Sequence, residues 1–261
     1  MTYETIQVER SANGITTITL NRPEKHNAMN ALMMDELCNA AETLDQDDKT
    51  RVVILAASGE TFCAGGDLRW MQAQAEEDRN GKMKEASRLA GMLKRLDAMK
   101  KPLIARVHGN AFGGGIGLLS VCDIVVASSG LKFALTETRL GLIPATIGPY
   151  VVRRMGEGKA RQVFMNAKVF DTERAHDLGL VSIVADPQAL EHAVLAEAKA
   201  FFACAPGAVA DAKALCQHLA RTQPEGQIEH SINMLADRWE SEEAQNGISA
   251  FFGKRKPDWQ L

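Results

Sequence analysis

The chain has 261 residues, a formal net charge of −3 and a hydrophobic fraction of 46%, which suits one large domain, or one domain with a helical appendage, around a sizeable core. The acidic balance withholds bulk electrostatic support from a nucleic-acid partner, and no uncharged apolar run reaches the roughly 18 residues of a membrane span. The opening MTYETIQVER has neither a basic start nor an apolar stretch, so no secretory signal is expected, and five cysteines without a C-x-x-C pair speak against a disulfide framework or zinc site and for a reducing, cytoplasmic compartment.

Taken in order, TIQVER and GITTITL are rich in β-branched residues and meet at Asn13-Gly14, a hairpin signal. After NRPEKHN, residues Met29, Leu32, Met33, Leu37, Ala40, Ala41 and Leu44 recur at helical spacing and predict one apolar face. VVILA is a continuous apolar run, as in a strand buried on both faces. The glycine-rich SGETFCAGGDL reads as a loop, and residues 82–99 as a charged helix with Ala86, Leu89, Leu93 and Leu96 on one side. The pattern then restarts: PLIARVHG is strand-like, GGGIGLLSV helix-like and DIVVAS strand-like. Successive strand–loop–helix units predict an α/β fold, a sheet with helices packed on it. From about Ala145 onward, including residues 226–252, the chain reads as mostly helical, and that change is the one domain boundary the sequence suggests.

Gly113, Gly114, Gly115 and Gly117 in GNAFGGGIGLLS pose the main functional question. G-I-G-L-L-S lacks the third glycine of a dinucleotide fingerprint, and Gly115 and Ile116 stand where a P-loop needs Lys and Ser/Thr. The remaining possibilities are a tight turn or close helix packing, or a helix start whose unpaired N–H groups meet a ligand oxygen. A second donor for such an oxyanion hole would come from FCAGGDL, which follows a buried strand. Asp67 reads as a cap for the next helix, Asp123 as structural, and Cys63 as a small apolar filler. His26 and His108 fit loop or packing roles, no G-x-S-x-G or metal-ligand spacing occurs, and Lys254, Arg255 and Lys256 form a basic cluster near the C-terminus.

LNRPEKHNAMN, FCAGGDL, GNAFGGGIGLLSVCDIVVAS, KFALTETRLGLIPA, ERAHDLGLV and FFGKRKPDW, in this order and spacing, resemble the crotonase (enoyl-CoA hydratase/isomerase) superfamily along nearly the whole chain. The resemblance implies a spiral of ββα units over residues 1–195 and a C-terminal helical trimerisation region over 196–261, assembled as a homotrimer or dimer of trimers. It also implies an acyl-CoA substrate and no cofactor or metal beyond the CoA that the substrate carries. By position it puts the thioester oxygen between the N–H groups of Ala64 and Gly114, with Glu137 as proton-transfer group. Lys25, Ala28, Asp67 and Leu68 match CoA-holding segments, and Lys254 matches a basic tail reaching a neighbouring subunit's CoA. The familiar hydratases carry a second glutamate where Gly117 stands here. DLRWMQAQA, FGGGIGLLSVCD, GLIPATIGPYVVRRMG and KRKPDWQ look like bacterial 3-methylglutaconyl-CoA and isohexenylglutaconyl-CoA hydratases of leucine and acyclic-terpene breakdown. In that reading the substrate's own second carboxylate, or Ser120 three residues along the same helix, helps to hold the water. A Δ3,Δ2-enoyl-CoA isomerase using one glutamate is the alternative, and a CoA-binding or RNA-binding relative without catalysis is the non-enzymatic one.

Overall fold

The computed structural model describes residues 2–220, 237 and 241–259. Strands β1 (Ile6–Arg10) and β2 (Ile15–Leu20) form the expected antiparallel hairpin, with Gly14 supplying the positive φ of 83° at its turn. From β2 onward the chain alternates between two sheets. β3 (Val52–Ala57), β5 (Leu103–Val107), β7 (Ile124–Ser128) and β10 (Ile183–Ala185) extend the first, a six-stranded sheet of order β1-β2-β3-β5-β7-β10. The short strands β4 (Thr61–Cys63), β6 (Asn110–Phe112), β8 (Lys132–Ala134) and β9 (Phe170–Asp171) build a second sheet in that order. Every strand pair of the first sheet after the hairpin is parallel, as are β4–β6 and β6–β8. A long strand, a short strand and then helix thus make one unit: β3 and β4 lead to α2 (Leu68–Glu76) and α3 (Arg79–Asp97), β5 and β6 to α4 (Gly114–Ser120), and β7 and β8 to α5 (Gly148–Met155) and α6 (Glu157–Phe164). This is the expected α/β spiral of ββα units.

Both faces of the large sheet are covered, which is why β3 is apolar at every position. Val53, Leu55 and Ala57 join the main core with α1 (Ala31–Asp45), α3 and α4, while Val52, Ile54 and Ala56 pack with Leu190, Val194 and Ala198 of α8 (Leu190–Ala200). The remaining described helices are α7 (Thr172–Asp177), α9 (Pro206–Leu219) and α10 (Glu242–Phe252). The 195/196 division falls inside α8. No single helix among the described residues is long and apolar enough to cross a membrane.

The expectation of a mostly helical chain after Ala145 needs correction at β9 and β10. These strands have two and three residues, too few to show a period of two, and they exist because β8 and β7 offer open edges. The expected helix over 226–252 is described only at 237 and from 241, where α10 lies; the rest is outside the described residues. In α1, Leu32 is exposed and Glu36 is buried instead, accepting bonds from the backbone N–H groups of Glu4 and Thr5 at 2.7 and 2.8 Å.

The loop before α1 is pinned by Asn27, fully buried and held at φ 52°. Its side chain accepts from Arg22 N and donates to Ser58 O and Thr61 O, each at 2.8 Å. Asn27→Ala leaves those three backbone groups unpaired and puts Cβ-restricted backbone in a left-handed conformation without local compensation, so it should cost about 2–4 kcal/mol in a urea melt.

Candidate active site

Two backbone segments meet at the end of the small sheet. The first is the turn after β4. Met29 N–H donates to Gly65 O at 2.8 Å and Asp67 N–H donates to Met29 O at 2.9 Å, so Met29 and Gly66 form a parallel bridge. In such a bridge the flanking residues use their polar groups toward the partner, and the central residue's N–H faces the other way. That leaves the N–H of Gly66 free on the side opposite Met29. Asp67 then caps α2, accepting from Arg69 N at 2.9 Å and Trp70 N at 3.4 Å, and it pairs with Arg22 at 3.0 Å. Burial alone would raise the Asp67 carboxyl, but these donors and the Arg22 charge hold it below the ordinary range.

The second segment is the start of α4. Gly113 turns the chain at φ 46°, and its N–H donates to Ala134 O at 2.9 Å. A methyl group on Gly113 would stand 3.3 Å from Glu137 Oε1 and 4.0 Å from Gly65 Cα. One on Gly115 would stand 2.7 Å from Cys63 O, so the helix packs directly on β4. Gly114 is the first residue of α4, and its N–H has no partner within the helix.

Gly66, Gly114 and Glu137 line one cavity of about 410 Å³, whose walls are otherwise largely apolar and include Met29, Trp70, Leu89 and Ile147. Glu137 begins the 3₁₀ turn Glu137–Leu140 that follows β8. Its Oε2 is buried without a hydrogen-bond partner, and burial raises the carboxyl above its ordinary value, a shift only partly opposed by the bond to its own backbone N–H. A buried carboxylate with an unused oxygen, facing an apolar cavity beside free N–H groups, is suited to moving a proton.

The model of the family described as "Enoyl-CoA hydratase/isomerase" matches residues 10–261. A Rhizobium meliloti protein named probable enoyl-CoA hydratase is 34% identical over all of this chain and 99% of its own length. A solved enoyl-CoA hydratase of Shewanella pealeana superposes with a TM-score of 0.93 at 34% identity, covering 98% of this chain and 96% of its own. One of Mycobacterium smegmatis gives 0.92 at 33%, covering 99% and 100%. The chain belongs to the enoyl-CoA hydratase/isomerase family.

Within that family's frame, one of the two expected N–H groups is not free. Ala64 is exposed, its N–H is spent on His26 O at 3.0 Å, and it does not line the cavity. Gly66, two residues on, has the N–H that the bridge to Met29 leaves free, and it lines the cavity with Gly114. The adjacent glycines marked the right loop, but the direction of each N–H depends on the bridge to Met29, which the loop sequence does not reveal. Of the residues matched to CoA-holding segments, Ala28 is buried with its carbonyl bonded by Arg22 at 2.6 Å, whereas Lys25 and Leu68 are exposed on either side of the strapped loop. Lys254 lies exposed after α10 at φ 50° and does not line the cavity. Cys63 is fully buried, its thiol pushed up to about 12 by desolvation, in keeping with an inert filler. Asp123 is structural: it accepts from Leu103 N and Lys213 Nζ, both at 2.8 Å.

The vacancy at Gly117 is occupied from outside the helix. A methyl group there would fall 2.5 Å from Ile147 Cγ2 and 3.0 Å from Ile147 Cβ, and Ile147 is 3% exposed. Ile147 therefore fills the space a second glutamate would need. Ser120 cannot hold water in this cavity either, because it bonds back to Ile116 O at 2.8 Å and lines a separate cavity with Cys122, Arg153 and Lys213. The i, i+3 spacing was too coarse, since a helix turns 3.6 residues per revolution and α4 is buried all round.

Two substitutions test this geometry. Gly66→Pro removes the free N–H and should lower kcat by about 10²–10³ if the variant folds, as for loss of one oxyanion donor. Gly66→Ala, which keeps the N–H, should stay within a few-fold of wild type when the two are assayed side by side. Gly117→Ala should lower stability by about 1–3 kcal/mol through overpacking against Ile147, and in an Ile147→Ala background, itself less stable, the same change should cost much less, read as a double-mutant cycle of melts.

Proposed function

We propose that the protein adds water to the double bond of an α,β-unsaturated acyl-CoA of the glutaconyl type, with 3-methylglutaconyl-CoA and isohexenylglutaconyl-CoA as the favoured substrates. The observation that carries this reading is the buried, unpartnered Oε2 of Glu137 in the cavity that Gly66 and Gly114 also line. The finer substrate rests on the likeness of DLRWMQAQA, GLIPATIGPYVVRRMG and KRKPDWQ to hydratases of that kind. The reading includes a cytoplasmic homo-oligomer, a trimer or dimer of trimers, and exposed Leu140, Leu142 and Ile143 beside the cavity mouth support burial of that edge by another copy. It calls for no cofactor beyond the CoA of the substrate, held along Lys25, Ala28, Asp67 and Leu68 and by Lys254 from a neighbour.

In this mechanism the thioester oxygen accepts from the N–H groups of Gly66 and Gly114, which stabilise the negative charge that develops as the β-carbon is attacked. Ionised Glu137 takes a proton from water while the water oxygen bonds to the β-carbon and the π electrons pass to the thioester oxygen. Protonated Glu137 then delivers the same proton to the α-carbon and the thioester carbonyl re-forms. One carboxylate thus returns to its starting state and the net change is addition of H and OH. Burial helps the second half, because it stabilises the neutral acid that must exist between the two transfers.

Ile147 in the second glutamate's space also favours one-carboxylate chemistry without water, the Δ3,Δ2-isomerase alternative. There Glu137 would take a proton from one carbon and return it two carbons away. Product analysis with unsaturated thioesters separates the two, since hydration removes the conjugated chromophore and isomerisation moves the double bond. For either reaction Glu137→Gln should lower kcat by about 10²–10⁴. In the wild type, kcat/KM should fall as pH drops, with its midpoint above the ordinary carboxylate range, because the ionised base is lost below a value that burial has raised. Near-wild-type turnover of Glu137→Gln would remove Glu137 from the reaction.

A further inference from the structure

One helix and the turn before it supply much of one wall of the cavity beside Glu137. Gly66, Trp70, Met71, Gln74 and Ala75 line it, and their spacing matches one face of α2 and the turn before it. The nine residues of α2 span about 13 Å, so this wall runs from the Gly66 donor to the helix's C-terminal end. Lys82, in the second turn of α3, stands with that far end. Among the described residues that line the cavity, Lys82 is the only cation and Glu137 the only anion.

The surroundings of Lys82 contrast with those of its neighbours on α3. Arg88 is paired with Asp35 and Glu85, and Glu85 also accepts from Trp70 Nε1 at 2.8 Å. Lys82 has no acidic partner among the described residues. An ammonium at the end of an apolar wall contributes nothing to a plain acyl chain, and a chain that reached it would strip some of its water without return. A chain ending in a carboxylate would be complementary to it.

We propose that Lys82 is a specificity-determining residue that pairs with a free carboxylate at the distal end of the acyl group, so that the site selects dicarboxylic acyl thioesters over plain ones. The proposal rests on the acyl-thioester reading above. The two charges then set the direction of the acyl chain. Glu137 repels a second carboxylate when ionised, and Lys82 attracts it to the other end, leaving the thioester at Gly66 and Gly114.

The test uses the full-length protein and two saturated thioesters that cannot react, glutaryl-CoA and butyryl-CoA, titrated by calorimetry. Wild type should bind glutaryl-CoA about two- to fivefold more tightly, the size of a solvent-accessible ion pair. Lys82→Met should lose that preference while keeping its affinity for butyryl-CoA, Lys82→Arg should retain it, and Lys82→Glu should invert it. A wild type that binds butyryl-CoA at least as tightly, or a preference that survives in Lys82→Met, overturns the role of Lys82. Because these titrations involve no turnover, failure of the hydratase reading appears separately, as absence of product from unsaturated thioesters. If neither saturated thioester binds, the acyl-CoA reading and the role of Lys82 fall together.

Discussion

Two hydrogen bonds between Met29 and the Gly65–Asp67 segment decide which way the Gly66 peptide faces, and the chemistry proposed for the cavity depends on that direction. The bonds join segments far apart in sequence, so each needs its own support. Asn27 fixes the Met29 side by bonding to Ser58 and Thr61 at the edge of β4, and the Arg22–Asp67 pair closes the other end. Ala64 N–H, used on His26 O, adds a third strap. A loop held at so many points keeps its free N–H in place without the reorganisation that a mobile donor would require.

The glycines of α4 answer several separate demands. Gly113 supplies a left-handed turn and leaves room for the Glu137 carboxyl. Gly115 lets the helix touch the backbone of β4. Gly117 serves neither purpose: its missing side chain is matched by Ile147, which arrives from the segment after Glu137. The exchange makes the wall apolar next to a carboxyl that already resists ionisation. Low polarity around Glu137 strengthens its interaction with any charge that develops nearby.

The far wall is organised by polar contacts behind an apolar surface. Trp70 presents its ring to the cavity while its indole N–H is tied to Glu85, which with Asp35 pairs Arg88. This chain joins α1, α2 and α3, and the contacts hold the ring that lines the cavity. Met29, Met34 and Met71 complete that surface with unbranched side chains that adapt to shape.

The sequence by itself determined the repeated strand–loop–helix order, the hairpin at Gly14 and the two-sided burial of β3, and it singled out the two glycine loops and Glu137, from which the structure brings Gly66, Gly114 and Glu137 to one cavity. These follow from local signals: β-branched runs, a turn dipeptide, a continuous apolar run, and motifs whose order matches a known family. It did not determine the second sheet, because strands of two or three residues carry no period and exist only where a neighbour offers an edge. Nor did it determine which N–H of FCAGGDL is left free, what fills the space at Gly117, or that Ser120 faces another cavity. Each of these depends on how one segment lies against a distant one: Gly66 against Met29, Gly117 against Ile147, α4 against its neighbours on all sides. Spacing along a chain fixes the face of an element, whereas only the packed structure decides what that face meets and whether a backbone N–H is spent or free.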